Sequence, residues 1–153
     1  MQDIVLIFNN EATRLNYSFI YGAKAFLAYD VSNTDLTDGH VLVALFPLID
    51  SAIEIPQSNN ITKIETSTTM WFGRKFDETV SSGTMAELDE TNRQKYDRRL
   101  FELKQLAMAY IEAIICGTDI ELRSFRMTEQ INQTAENIDF ISCDLILRHE
   151  NIN

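Results

Sequence analysis

The sequence predicts an α+β fold, a mainly antiparallel sheet packed by two α-helices. Three observations predict it. Apolar residues recur at helical spacing from Asp89 to about Cys116, they do so again over residues 3–16, and segments of strand period lie between and after the two stretches. A chain of 153 residues can bury about two-thirds of its unfolded surface in one core, so residues 1–153 read as a single α+β domain.

The first helix is read over residues 3–16. Ile4, Ile7, Phe8, Ala12 and Leu15 share one face, while Asn9, Asn10, Glu11 and Arg14 take the other. Residues 17–29 carry Tyr17, Phe19, Tyr21, Phe26 and Tyr29 around Gly22. Three readings stay open there: a strand pair, an irregular packed segment, or a continuation of the helix. Asn33, Asp35, Asp38 and Gly39 mark Asp30 to Gly39 as a loop. His40 to Ile49 is a nearly continuous apolar run, the pattern of a buried strand, and Pro47 inside it implies an edge, a bulge or the strand's end. Gln57 to Asn60 reads as a turn, and Ile61 to Phe76 as a long strand. Within that strand Ile64, Thr66, Thr68, Met70 and Phe72 alternate with Glu65, Ser67, Thr69 and Trp71. Asp77 to Leu88, with Ser81, Ser82 and Gly83, is a surface loop long enough to suggest contact with a neighbour.

In the long helix Tyr96, Leu100, Leu103, Ala107, Tyr110 and Ile114 form the apolar stripe. Asp89 stands where a carboxylate can accept the free amides of the first turn. Gly117 stands where a chain commonly leaves a helix through a left-handed residue. Two further strands follow, Ile120 to Ile131 and Ile138 to Arg148, joined by a hairpin connection at Asn132 to Asn137. In the last strand Cys143, Leu145 and Leu147 alternate with Asp144, Ile146 and Arg148. The chain carries no internal repeat or low-complexity tract.

A hydrophobic fraction of 45% with nine Phe argues for a packed core. Thirteen basic against 23 acidic residues give a formal charge of -10, which argues against nucleic-acid binding over the whole surface. Cys116 and Cys143 do not make a disulfide framework and read as small buried hydrophobes. The apolar run Ile4 to Phe8 is short and follows Asp3, unlike a secretory signal, and no run approaches the roughly 18 to 20 apolar residues of a bilayer span. The expectation is a soluble intracellular protein without a membrane partner.

Catalysis needs a nucleophile with a base, a shielded carboxylate pair or a metal cluster. His40 follows a turn and His149 lies near the end of the chain, so both read as exposed surface residues. HExxH, paired CxxC, calcium-loop and phosphate-loop patterns are missing, so no cofactor or metal is implied. The acid pairs Asp77–Glu78 and Asp89–Glu90 fit solvation and helix capping. Arg93, Lys95, Arg98, Arg99 and Lys104 crowd one stretch of the long helix. They read either as a solvated face with pairs such as Arg98–Glu102, or as a contact surface for an acidic neighbour. Trp71-Phe72-Gly73-Arg74-Lys75 is an aromatic-basic strand end that suits an interface or a core strand leaving the sheet. The candidate interface residues are therefore Trp71, Arg74 and Lys75 on the strand, Asp77 and Glu78 in the loop, and Arg93, Arg98 and Arg99 on the helix.

Several segments together resemble the tail-completion and tail-terminator proteins of tailed-phage necks. They are Phe19-Ile20-Tyr21-Gly22, then Val41 to Pro47, then Thr68-Thr69-Met70-Trp71-Phe72 running into an acidic loop. The helix opening Leu88-Asp89-Glu90-Thr91 and the closing strands Ile120 to Met127 and Ile138 to Leu147 complete the likeness. It covers nearly the whole chain and rests on element order and apolar pattern. Asp50 to Asn60 has no counterpart in that pattern. The resemblance implies a structural virion protein without enzymatic activity, forming a homo-oligomeric ring of six or twelve copies. Such a ring sits in the head-tail connector, neck or tail, between portal or connector and tail proteins, after assembly in the host cytoplasm. DNA would pass its channel without sequence-specific binding, and an acidic wall would keep the duplex from sticking. The competing readings are a non-catalytic protein-binding adaptor and a small ligand-binding α+β domain.

Overall fold

The computed structural model describes residues 2–22, 39–54, 60–75, 100–130 and 138–151. Among them are two α-helices and one six-stranded, mostly antiparallel sheet. The order is α1 (Ile4–Arg14), β1 (Ser18–Tyr21), β2 (Val41–Leu45), β3 (Ile49–Glu54), β4 (Lys63–Lys75), α2 (Glu102–Cys116), β5 (Glu121–Gln130) and β6 (Ile138–Glu150). The predicted α+β class holds at this level. One pairing departs from antiparallel: β1 lies parallel to β2, Ser18 opposite Leu42 and Tyr21 opposite Leu45.

α1 begins where the Leu6 amide donates to Asp3 Oδ1 at 3.0 Å, a side-chain cap for an otherwise unmatched donor. Its stripe Ile4, Phe8 and Ala12 is buried, as the spacing predicts. The chain leaves through Asn16, whose φ of 59° is left-handed, a conformation that a short amide side chain tolerates. The open segment at 17–29 therefore starts as a strand, β1, and residues 23–29 lie outside the described residues.

β4 is the spine of the sheet. One edge pairs with β6 along its whole length, from Lys63 opposite Glu150 to Lys75 opposite Ile138. The other edge is shared: β2 takes Met70 to Arg74, and β3 takes Lys63 to Ser67. β3 was not expected from the sequence, which placed Ile49 at a strand's end and left Asp50 onward without a role. Pro47 explains the division. Between Leu45 and Ile49 the chain takes four steps while β4 takes three, from Met70 to Ser67, so the extra residue sits at the proline. Around the break, the Phe46 amide donates to the Thr69 carbonyl at 2.9 Å and the Thr68 hydroxyl donates to the Phe46 carbonyl at 2.9 Å.

Both helices cover the same face. Val41, Val43 and Leu45 of β2, Met70 and Phe72 of β4, and Ile141, Cys143, Leu145 and Leu147 of β6 meet Ile4, Phe8 and Ala12 of α1 and Leu103, Ala107, Tyr110 and Ile114 of α2. Each large apolar side chain sealed this way contributes about 1.5–3 kcal/mol relative to exposure. A smaller cluster of Leu42, Phe140, Ile20 and Trp71 lies on the opposite face. Burial on both faces is why β2 reads as a continuous apolar run.

The long helix is described from Leu100, and Phe101 already has helical angles. Its proposed start at Asp89, with Tyr96, lies outside the described residues. Gly117 corrects the expectation of a left-handed exit: its φ is -91° and its ψ -2°. The Thr118 hydroxyl donates to the Ile114 carbonyl at 2.8 Å instead, and accepts from the Ile120 amide at 3.3 Å, so a side chain satisfies the helix end. Cys143 is buried as expected, but Cys116 is exposed. It falls on the outer side of α2 with Met108 and Glu112, away from the stripe that meets the sheet.

Candidate functional site

The helix-free face of the sheet carries a groove of about 490 Å³. Phe46, Pro47 and Ile49 form its apolar wall at the β2–β3 break, and Ser67, Thr69, Ser124, Arg126, Asp144 and Ile146 line the rest. Strand alternation brings these residues together from β4, β5 and β6. Across the groove the Thr69 hydroxyl donates to Asp144 Oδ1 at 3.0 Å and Arg126 Nη2 donates to Asp144 Oδ2 at 2.9 Å. Each carboxylate oxygen thus has a donor. The ion pair stands well in solvent and contributes at most about 1 kcal/mol. Beyond one end lies an aromatic group in which Trp71 sits 5.2 Å from Phe46 and 5.1 Å from Phe140, centroid to centroid. Toward the other end Arg148 Nε donates to Glu65 Oε2 at 3.0 Å. Ile49, 67% exposed, rims the groove, so the surface mixes apolar and matched polar groups.

Of the residues expected at an interface, Trp71 is half-buried on this face. Arg74 points to the helix side and pairs with Glu102 of α2 at 3.4 Å, while the fully buried Asp139 stands opposite it in the register. Lys75 closes β4 opposite Ile138. Asp77, Glu78, Arg93, Arg98 and Arg99 lie outside the described residues, so the expected cluster is not assembled among them. Of the helix's basic stretch, Lys104 is described, and its Nζ contacts Glu129 of β5 at 2.5 Å.

The histidines correct the expectation of two surface residues. His40 is half-buried with Nε2 2.8 Å from the Ser18 hydroxyl, which joins β1 to β2. His149 is 3% exposed, because it continues the buried alternation of Cys143, Leu145 and Leu147 at the end of β6. Its Nε2 lies 3.0 Å from Thr66 Oγ1, and Thr66 donates to Asp50 Oδ1 at 2.5 Å. Burial lowers the His149 pKa from the ordinary value near 6.5, against the pull of Asp50. Threonine, histidine and carboxylate are the parts of a nucleophilic triad, but their order is different. Here the hydroxyl stands between base and acid, its proton is given to Asp50, and Thr66 is fully buried. That arrangement holds strands together and does not activate an oxygen toward substrate.

Sequence reasoning missed Asp50 and Thr66 as partners. A signal was present: Thr66 and Thr68 fall on the buried side of β4's alternation, where a hydroxyl needs a partner. The Cys143 thiol is pushed up to about 12, first by burial and then by Asp144, so it stays protonated and unreactive. Among the described residues no group of three His, Cys, Asp or Glu could hold a metal ion, and no helix is long and apolar enough to cross a membrane. Comparison with models of known protein families gives no match, and neither does comparison with curated proteins.

Proposed function

We propose that the protein is a structural virion component that forms a ring in the head-tail connector, neck or tail of a tailed bacteriophage. In this reading it joins portal or connector to tail, lets DNA pass without sequence-specific binding, and catalyses nothing. The observation that carries the reading is the unequal treatment of the two sheet faces. Two helices seal one face, while the other presents a grooved surface of matched polar groups rimmed by the exposed Ile49. A surface that sets apolar Phe46, Pro47 and Ile49 beside matched polar groups suits coverage by a neighbouring subunit. The resemblance of element order to tail-completion and tail-terminator proteins supports the ring, since head-to-tail contacts close under rotation.

Light scattering on the purified protein, followed by negative-stain imaging, tests this. Closed rings of six or twelve copies are the expected result. A strict monomer, alone and with a portal or tail extract, would overturn it. The groove favours a second reading, an adaptor or ligand-binding domain, because its volume lies in the range of small-molecule sites.

A further inference from the structure

The outer side of α2 carries a ridge whose chemistry and length match the groove on the opposite face of the sheet. α2 buries Leu103, Ala107, Tyr110, Ile111 and Ile114, so Phe101, Gln105, Met108 and Glu112, spaced by four, three and four, face away from the sheet. Phe101 is 44% exposed and Met108 38%. Among the described residues, neither the Gln105 nor the Glu112 side chain has a hydrogen-bond or ion-pair partner. The ridge thus runs apolar, amide, apolar, carboxylate.

Across the groove, Ile49 stands opposite Ser67, Ser67 opposite Ile146, and Ile146 opposite Ser124. Arg126 is the next residue of β5 on that face. Among the described residues the Ser67 and Ser124 hydroxyls have no partner. The Arg126 side chain is 77% exposed and donates through Nη2 to Asp144, which leaves Nε and Nη1 for another acceptor. The groove thus runs apolar, hydroxyl, apolar, guanidinium. Its length agrees too. Ile49 to β5 crosses three strand spacings of about 4.8 Å, and Arg126 lies about 7 Å further along, so Ile49 to Arg126 is about 16 Å. At a rise of about 1.5 Å per residue, Phe101 to Glu112 also spans about 16 Å.

Resting on the ring reading above, we propose that the groove receives the α2 ridge of a second copy, laid across the strands with Glu112 of the neighbouring copy on Arg126. In this register the neighbour's Phe101 meets Ile49, its Gln105 meets Ser67 and its Met108 meets Ile146. Helix-in-groove docking of this kind covers apolar anchors and matches the unpaired polar groups of both surfaces. Ridge and groove lie on opposite faces of one sheet, so a chain cannot seat its own ridge. Each copy gives its ridge to one neighbour and its groove to another, the front-to-back contact from which a ring closes.

Sedimentation velocity on the full chain tests the contact with two variants at exposed positions, Glu112→Arg on the ridge and Ile49→Asp in the groove, each checked for folding by circular dichroism. Glu112→Arg sets guanidinium against guanidinium, and Ile49→Asp puts a charge under the neighbour's Phe101. Each should raise the concentration needed for assembly by about tenfold or more. Mixed in equal amounts, Ile49→Asp still offers a sound ridge and Glu112→Arg a sound groove. One sound contact then joins them, so the mixture should form a complex of two copies, one of each variant, where either alone stays single. Assembly of Glu112→Arg at the wild-type concentration removes this contact and leaves the ring standing. A mixture that stays single, or grows past two copies, overturns the contact in the same way. A wild-type chain that stays single at every concentration overturns the contact and the ring together.

Discussion

Tyr110 joins more of the core than any single spacing argument suggests. Its hydroxyl donates to the Phe8 carbonyl at 2.5 Å, tying α2 to α1, and its ring meets Phe8 edge-on at 5.9 Å and Phe72 at 5.7 Å. Burial raises the phenol far above its ordinary pKa, so it remains a neutral donor wherever the protein is folded. Tyr110→Phe keeps the rings and removes the bond. It should lower stability by about 1–2 kcal/mol, read as an earlier urea midpoint with an unchanged slope. Helical spacing made the burial of Tyr110 legible. The bond was not legible, because Phe8 lies on another element 102 residues away. The same holds for His149: alternation along β6 could place it inside, but Thr66 and Asp50 come from strands remote in sequence.

At the scale of elements, β2 and β3 are one extended path broken at Pro47. The proline cannot donate to the ladder, and the chain absorbs one extra residue there before pairing with β4 resumes. The Thr68 hydroxyl holds the break by donating to the Phe46 carbonyl. Thr68→Val preserves shape and β-branching while leaving that carbonyl unmatched. The expected cost is about 1 kcal/mol by chemical denaturation, with faster amide exchange in β3 than in β6. The proline announced an interruption in the sequence. That the strand would resume beyond it was hidden, because Ile49 to Glu54 has neither a strict apolar alternation nor a continuous apolar run, and residues 49–53 lie exposed at the sheet's edge. The end of α2 shows a similar limit. Glycine predicted a left-handed exit, and the hydroxyl of the next residue made that exit unnecessary.

For the whole molecule, the groove and its rim are where assembly should be felt first. Ile49 is largely exposed, so Ile49→Asp should change stability by no more than about 0.5 kcal/mol. If neighbouring copies cover this face, the same change should shift the light-scattering mass from ring to protomer. A variant that keeps the ring would place the subunit contact elsewhere on the surface.

The sequence by itself determined the α+β class, the buried stripes of both helices and the buried faces of β4 and β6. Those follow from local periodicity, 3.6 for helices and two for strands, which sets the face a side chain takes. Tertiary structure alone decided that β1 lies parallel to β2, that β4 serves two strands on one edge, and that Asp50, Thr66 and His149 meet in one row. The physical reason is that periodicity assigns a residue to a face, whereas strand order and register choose the residue opposite it, and that choice rests on contacts between segments far apart in the chain.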